Sequence, residues 1–322
     1  MPRKATGLGL RRLAVMNKLR ILLGLPHVFA PKEGSLYSSQ TETKREIKRQ
    51  ALLNATIGNL SRHGCGSWIH ASIGKSGPIT TREINYEFGA DIDIQLFTPS
   101  KATLADAIPE HPNLKRIEPG TEDYTQIPAI TSRRLIEQAA EYDLIGYMED
   151  DLLIEDREFF DKIISLSQHL GDDYVVLPHR CERIPNRGDV ILSGDPDGGR
   201  DDLFWDTGET KEIQTSHGVR QLYRATNPHS GCFFLTRQQA LRALNYWNTR
   251  NWKEEFKLSG PLEQAGSGIL LPIFKIMKPI PQHYRYLMIL HQDELWKRHP
   301  FEENNTNWPP KEKHLDKSFT IF

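Results

Sequence analysis

The chain has 322 residues, 38% of them hydrophobic, with 41 basic side chains against 42 acidic ones. This is enough to bury a full core in one large domain or two closely joined ones, and the net charge of -1 leaves no global field to draw nucleic acid. Three cysteines without CxxC spacing argue against a disulfide framework and for a reducing compartment.

No apolar run reaches the roughly 18 to 20 residues of a membrane span. Residues 268–277 come nearest, interrupted by Pro272 and Lys275. The expected location is cytoplasmic. Residues 1–17 open with a basic stretch and lack an apolar region with a cleavage site. They read as an unanchored extension, with peripheral contact to a membrane surface or an upstream start ahead of Met16 as the alternatives.

In chain order, residues 18–29 are apolar and predict a first buried strand, followed by the loop Pro31-Lys32-Glu33-Gly34. Residues 41–60 predict a helix with Ile47, Ala51, Leu52 and Ala55 on its apolar face and Lys and Arg opposite. Residues 67–73 and 91–97 predict short strands, and 132–141 a helix leading into another strand. Asp156 is positioned to cap a helix running to Leu170, and 173–178 predict a strand. Such alternation implies a mostly parallel sheet covered by helices.

The second half differs. Residues 181–226 are rich in Gly, Asp, Pro and Arg with little periodicity, which predicts a long functional loop that closes over a ligand. Residues 231–235 predict a strand, Thr236 and Gln239 a capping box opening a helix over 237–247, and 286–290 a last strand ending at His291. The division expected is an extension (1–17), a ligand-binding half (18–180), a second half with the long loop (181–300) and a polar tail (301–322).

Chemistry concentrates in Leu144-Ile145-Gly146-Tyr147-Met148-Glu149-Asp150-Asp151, an apolar strand running into three adjacent carboxylates. Acids withdrawn from water and crowded together are strongly disfavoured unless paired or coordinating a cation. Hard oxygen ligands suit Mg²⁺ or Mn²⁺, which commonly bridge a carboxylate to substrate phosphates. Rival acidic pairs fit less well. Asp91-Ile92-Asp93 opens its strand, whereas ligands of open α/β sheets bind beyond the carboxyl ends, so it reads as a polar strand face. Asp195-Pro196-Asp197-Gly198 lacks the continuation of a calcium loop. Gly74-Lys75-Ser76 lacks the first glycine of a phosphate loop, and zinc at His63/Cys65, His179/Cys181 and His229/Cys232 would need distant loops to converge.

The layout of strand, acidic turn, apolar pair and helix resembles the metal-binding DxD region of the GT-A nucleotide-sugar glycosyltransferases, in its Glu-Asp-Asp variant. Asn227-Pro228-His229-Ser230-Gly231-Cys232-Phe233-Phe234 is similar to the family's glycine-containing acceptor-side segment. The resemblance implies an α/β fold, a Rossmann-related mixed sheet flanked by helices with an acceptor-side second half. It also implies transfer of a sugar from a nucleotide-sugar donor to a glycan, lipid-linked or other hydroxyl acceptor with Mn²⁺ or Mg²⁺. On this reading Asp151 and His291 are the metal ligands, Glu149, Asp150 and Arg133 contact the donor, and Glu263 is the base, with Asp293 and Glu294 as fallback acids. Arg134 shares the position of Arg133. Leu25-Pro26-His27-Val28-Phe29 departs from the family's first-strand sequence. The alternatives are a nucleotidyltransferase acting on a sugar phosphate, and a non-catalytic carbohydrate-binding protein of the same fold.

Overall fold

The computed structural model describes residues 18–30, 46–64, 67–72, 77–85, 90–184, 188–192, 206–225, 230–250 and 260–292. Strand β1 (Leu19–Pro26) is followed by helix α1 (Glu46–His63), an antiparallel hairpin of β2 (Ser67–Ser72) and β3 (Thr80–Asn85), then β4 (Ala90–Phe97) and β5 (Leu114–Ile117). Helix α2 (Ile127–Glu137) leads to β6 (Leu144–Met148), β7 (Leu152–Leu153), α3 (Phe159–Leu170) and β8 (Tyr174–Val176). The second half contributes β9 (His179–Ile184), β10 (Gly188–Leu192), β11 (Asp206–Thr215), β12 (Gly218–Ala225), β13 (Cys232–Thr236), α4 (Arg237–Asn248), α5 (Pro261–Gly266), β14 (Lys275–Pro279) and β15 (Met288–His291).

The expected α/β class is present as a mixed sheet flanked by helices. Five strands lie in the order β13-β6-β1-β4-β5, with β1, β4, β5 and β6 parallel and β13 antiparallel to β6. β1 is apolar at successive positions because both of its faces are covered. Ile21, Leu23 and Leu25 turn toward α1 and α3, among Leu53, Ile57, Leu60 and Phe159. Leu22 turns the other way, with Ile145, Tyr147 and Phe233, toward Leu135 of α2, Ala243 and Trp247 of α4 and Ala265 of α5. Sheet and helix approach closely at Gly24, where an added Cβ would stand 2.6 Å from Leu135 of α2. Within the sheet Gly146 leaves room for its neighbours, a Cβ there standing 2.6 Å from Leu23 and 2.7 Å from Phe234.

From β1 the chain moves outward to β4 and β5, then crosses back to the opposite side of β1 as β6. The connections leaving β1 and β6 therefore diverge, and the crevice between their carboxyl ends is the natural ligand position of an open α/β sheet.

Several expectations need correction. Helix α1 buries Arg49, Leu53, Thr56, Ile57, Asn59 and Leu60, while Ile47 is 82% exposed. The buried stripe is thus rotated from the face expected, because Arg49 in the first turn reaches Asp150 and Asp151 while Leu53, Ile57 and Leu60 pack in the core. α2 begins at Ile127, with Pro128 in its first turn where no backbone donor is needed, and the chain tightens into a 3-10 turn at Ala139–Glu141. The capping box at Thr236 and Gln239 is present as expected, whereas Asp156 caps only through its loop, accepting from the Glu158 amide. Asp91 and Asp93 lie on the exposed face of β4, as their position predicted.

Where it is described, the long loop expected over 181–226 is instead largely strand. β9 and β10 pair antiparallel, as do β11 and β12 through the two-residue loop Ser216-His217. The period was hidden because β11 edges its sheet, and of its side chains Ile213 is the buried hydrophobic one. Two further sheets result, in orders β10-β9-β15-β7 and β11-β12-β14-β8. The extension, the Pro31–Gly34 loop, the phosphate-loop and calcium-loop candidates, Cys65, His229, Asp293, Glu294 and the tail lie outside the described residues. No helix among the described residues is long and apolar enough to cross a membrane.

His179 on β9 is 2% exposed, donates from Nε2 to the Pro279 carbonyl at 2.7 Å and packs its ring 4.1 Å from that of Tyr284. Burial, with help from the Lys278 charge, pushes its pKa down to about 3. The unfolded chain takes up this proton near 6.5 and the folded chain does not, so the histidine's contribution is complete above 6.5 and is lost as pH falls toward 3. Urea unfolding between pH 4 and 7 should show a steeper loss of stability in wild type than in His179→Gln. Equal slopes would contradict this assignment.

Candidate functional site

Every residue of β6 is buried, and the strand delivers Glu149, Asp150 and Asp151 to the crevice at 7%, 8% and 7% exposure. A tight turn holds them. The Glu149 amide donates to the Gly231 carbonyl at 2.8 Å, and the Leu152 amide donates back to the Glu149 carbonyl at 3.4 Å. Gly231 has φ 71°, and a Cβ there would come within 2.9 Å of the Glu149 carboxylate. Glycine is required on both counts.

Each carboxylate has a cationic or imidazole partner, and Arg49 serves two of the three. Glu149 Oε2 lies 3.6 Å from Arg180 Nη1 on β9. Asp150 takes Arg49 Nη2 at 2.6 Å on one oxygen and His27 Nδ1 at 2.5 Å on the other. Asp151 Oδ2 takes Arg49 Nη1 at 3.0 Å and faces His291 Nε2 at 3.6 Å. Arg49 thereby spans two adjacent acids with one planar guanidinium, a geometry that lysine could not reproduce. His27, at the exit of β1, receives the Leu104 amide on Nε2 at 3.0 Å, which leaves its proton on Nδ1 and directed at Asp150.

A short second sheet brings His291 to this place. β15 pairs antiparallel with β7, setting His291 beside Leu152, and the Gln292 amide donates to the Asp151 carbonyl at 3.0 Å. β15 also runs parallel to β9, and its register leads His291 to Glu182, whose Oε1 lies 2.8 Å from Nδ1. The structure brings His291 and Asp151 together through the pairing of β15 with β7, outside the central sheet.

Burial alone would lower the pKa of His291; the charge of Asp151 and the bonds to Asp151 and Glu182 outweigh it and raise it to about 9. For Asp151 burial pulls upward, yet His291 and Arg49 hold the carboxyl well below its ordinary range. Near neutral pH the two therefore form an imidazolium–carboxylate pair.

For a divalent cation the chain offers a limited donor set. Asp151 Oδ1 is buried without a hydrogen-bond partner, and His291 Nε2 stands on the same side chain's other oxygen. Among the described residues no group of three or more His, Cys, Asp or Glu side chains converges as a closed metal cage. Two protein donors suit an ion that is completed by phosphate and water. Cys181 and Cys232 are buried thiols with pKa values pushed up by burial, which does not favour thiolate ligands.

The structure thus unites Glu149, Asp150, Asp151 and His291. Arg133 and Glu263 stand in the α2–α5 layer: Arg133 is half exposed and bonded to Glu137 along its own helix, and Glu263 lies on α5, which is tied to α2 by the Ser132 hydroxyl donating to the Ala265 carbonyl. Arg134 donates to the Glu118 and Pro119 carbonyls. Sequence reasoning missed His27, Arg49, Arg180 and Glu182. Period-two alternation in His179-Arg180-Cys181-Glu182 puts Arg180 and Glu182 on one strand face and was the available signal.

The sequence matches no protein-family model and no curated protein. Among solved structures, GalNAc-T7 with UDP, GalNAc and Mn²⁺ aligns at 9% identity and TM-score 0.43 over 86% of this chain, and the chain spans 44% of that structure's length. A 4-diphosphocytidyl-2C-methyl-D-erythritol synthase from Anaerococcus prevotii aligns at 10% identity and TM-score 0.36, covering 82% of this chain and 88% of that one. At such identities the chemistry has to come from the side chains of this chain.

Arg49 gives a direct test of the network. Arg49→Leu leaves two buried carboxylates short of a partner and should cost about 3–5 kcal/mol in urea unfolding. Arg183→Leu removes comparable ion pairs to Glu155 and Asp189 from a side chain that is 56% exposed, and should cost less than about 1 kcal/mol. Equal losses would show that the buried pairing has no special weight.

Proposed function

We propose that this chain transfers a sugar from a nucleotide-sugar donor to an acceptor hydroxyl, using Mn²⁺ or Mg²⁺. The observation that carries the reading is the approach of His291 Nε2 to 3.6 Å from Asp151 Oδ2, beside an unpartnered carboxylate oxygen, at the crevice where the sheet reverses its strand order. A buried acid and an imidazole there, one from each half of the chain, fit a cation shared with a diphosphate.

In this reading Asp151 and His291 hold the cation, which when bound neutralises charge developing on the departing nucleoside diphosphate. Arg49 and His27 fix Asp150 in one rotamer, so that it meets donor hydroxyls without reorganising. Glu149, anchored to Gly231 and Arg180, shapes the adjoining wall. Arg133 is proposed as a donor contact and Glu263 as the base that takes the acceptor proton. The donor half is residues 18–180 and the acceptor half 181–300. Acceptor classes are glycans, lipid-linked sugars or other hydroxyl compounds.

A second reading has its own observation. Arg49 already neutralises both aspartates, which suits a carbohydrate-binding site that works without metal. Metal dependence separates the two.

The test is a panel of nucleotide sugars with Mn²⁺ or Mg²⁺, reading released nucleoside diphosphate. Wild type should turn over at least one donor and lose activity on chelation. Asp151→Asn should retain its circular dichroism spectrum while turnover falls on the order of a hundredfold, as expected for a lost transition-state interaction of about 3 kcal/mol. Glycan binding without turnover, unchanged by chelator, would favour the second reading.

A further inference from the structure

We propose that Glu182 is a positioning residue for His291, holding the ring with Nδ1–H toward itself and Nε2 presented to Asp151; in its metal consequence this rests on the function proposed above. Glu182 is 1% exposed on β9, a cost that a carboxylate meets only when it serves a partner. Its Oε1 lies 2.8 Å from His291 Nδ1, while Nε2 of the same ring faces Asp151 Oδ2. The two carboxylates thus sit on opposite nitrogens of one imidazole.

The register makes this arrangement specific. Met288 pairs with His179, Ile289 with Arg180 and Leu290 with Cys181 across the parallel strands. One further step sets His291 against Glu182. The same strand pairing that delivers His291 to the crevice therefore supplies the group that orients it, and a slip of β15 by one residue would turn His291 to the face opposite Glu182. Glu182 Oε2 is buried without a hydrogen-bond partner, so the carboxylate is committed to the histidine rather than to a wider network on that oxygen. A carboxylate behind a ligating imidazole fixes tautomer and ring orientation and makes the distal nitrogen a better donor.

Two measurements test this. Proton–nitrogen NMR of the full chain without metal, with His291→Asn to assign the signal, should show an exchange-protected Nδ1–H from His291. That signal should persist in Glu182→Gln, whose amide oxygen still accepts, and vanish in Glu182→Ala. Glu182→Asp, which keeps the charge but withdraws it by a methylene, should lose it also, and serves if the alanine variant does not fold. Titration with Mn²⁺ alone, read by the free-ion paramagnetic resonance signal, should show affinity falling about 10- to 100-fold in Glu182→Ala or Glu182→Asp and only a few-fold in Glu182→Gln. An unchanged Nδ1–H signal in folded Glu182→Ala or Glu182→Asp would overturn the proposal, as would wild-type Mn²⁺ affinity in either. If wild type takes up no Mn²⁺ the metal reading fails, and the NMR comparison alone decides the positioning role.

Discussion

Burial of the carboxylates at the end of β6 is the constraint on which the surrounding structure depends. Glu149, Asp150, Asp151 and Glu182 are each less than a tenth exposed, and a charge removed from water is tolerated only when it is compensated locally. Compensation arrives from four separate elements: His27 beyond β1, Arg49 on α1, Arg180 on β9 and His291 on β15. The positions of those elements are accordingly tied to one another. α1 is pinned a second time below the acids, where Asn59 exchanges two hydrogen bonds with the Ile154 backbone at 2.9 and 3.0 Å, and again where Gln292 donates to Thr56 Oγ1 at 3.0 Å. A helix that would otherwise be a simple cover for the sheet becomes part of the wall of the crevice.

This electrostatic arrangement also limits what the crevice can accept. Arg49 and the protonated His291 already offset much of the negative charge, so a cation reaching Asp151 has to compete with a guanidinium and a proton. On the proposed function, cation uptake would release a proton, since a metal-bound imidazole nitrogen is deprotonated. The unpartnered Asp151 Oδ1 is where that competition is weakest, because nothing has to be displaced from it. A site built this way gains strongly from a ligand that brings its own anionic groups, which replace the coordination that the protein withholds. On the proposed function that ligand is the donor's diphosphate.

Much of the scaffold was legible from residues. The continuous apolar run of β1, the alternation of strands and helices through α3, the capping box at Thr236 and the position of the acidic triplet all follow from local patterns, because burial on two faces and helix-end satisfaction leave marks within a few residues. His291 was legible as a histidine ending an apolar strand. The partners were not. Arg49 reads locally as one of several basic residues on a polar helix; its burial comes from Asp150 and Asp151, far along the chain. Glu182 lies in a stretch where β9 and β10 are polar enough to resemble loop, and its role appears only once β15 fixes the register. His27 was visible as a departure from the resembled family's first strand, without a physical reason attached. In each case the missing information was tertiary: which charge faces which.

The two sheets of the second half acquire a purpose from the same constraint. An acidic turn at the end of a parallel sheet is bounded on one side by β13, which returns antiparallel and places Gly231 against Glu149. On the other side it would open to water. The β9–β15–β7 pairing closes it: β7 continues directly from the triplet, β15 adds to β7, and β9 adds to β15. Sealing the crevice in this way lowers the local dielectric, which strengthens every pairing within it and equally raises the cost of leaving any member unpaired. Of the region that composition alone suggests is a mobile lid, β9 and β10 belong to this sheet, and β9 supplies the Glu182 that lies against His291.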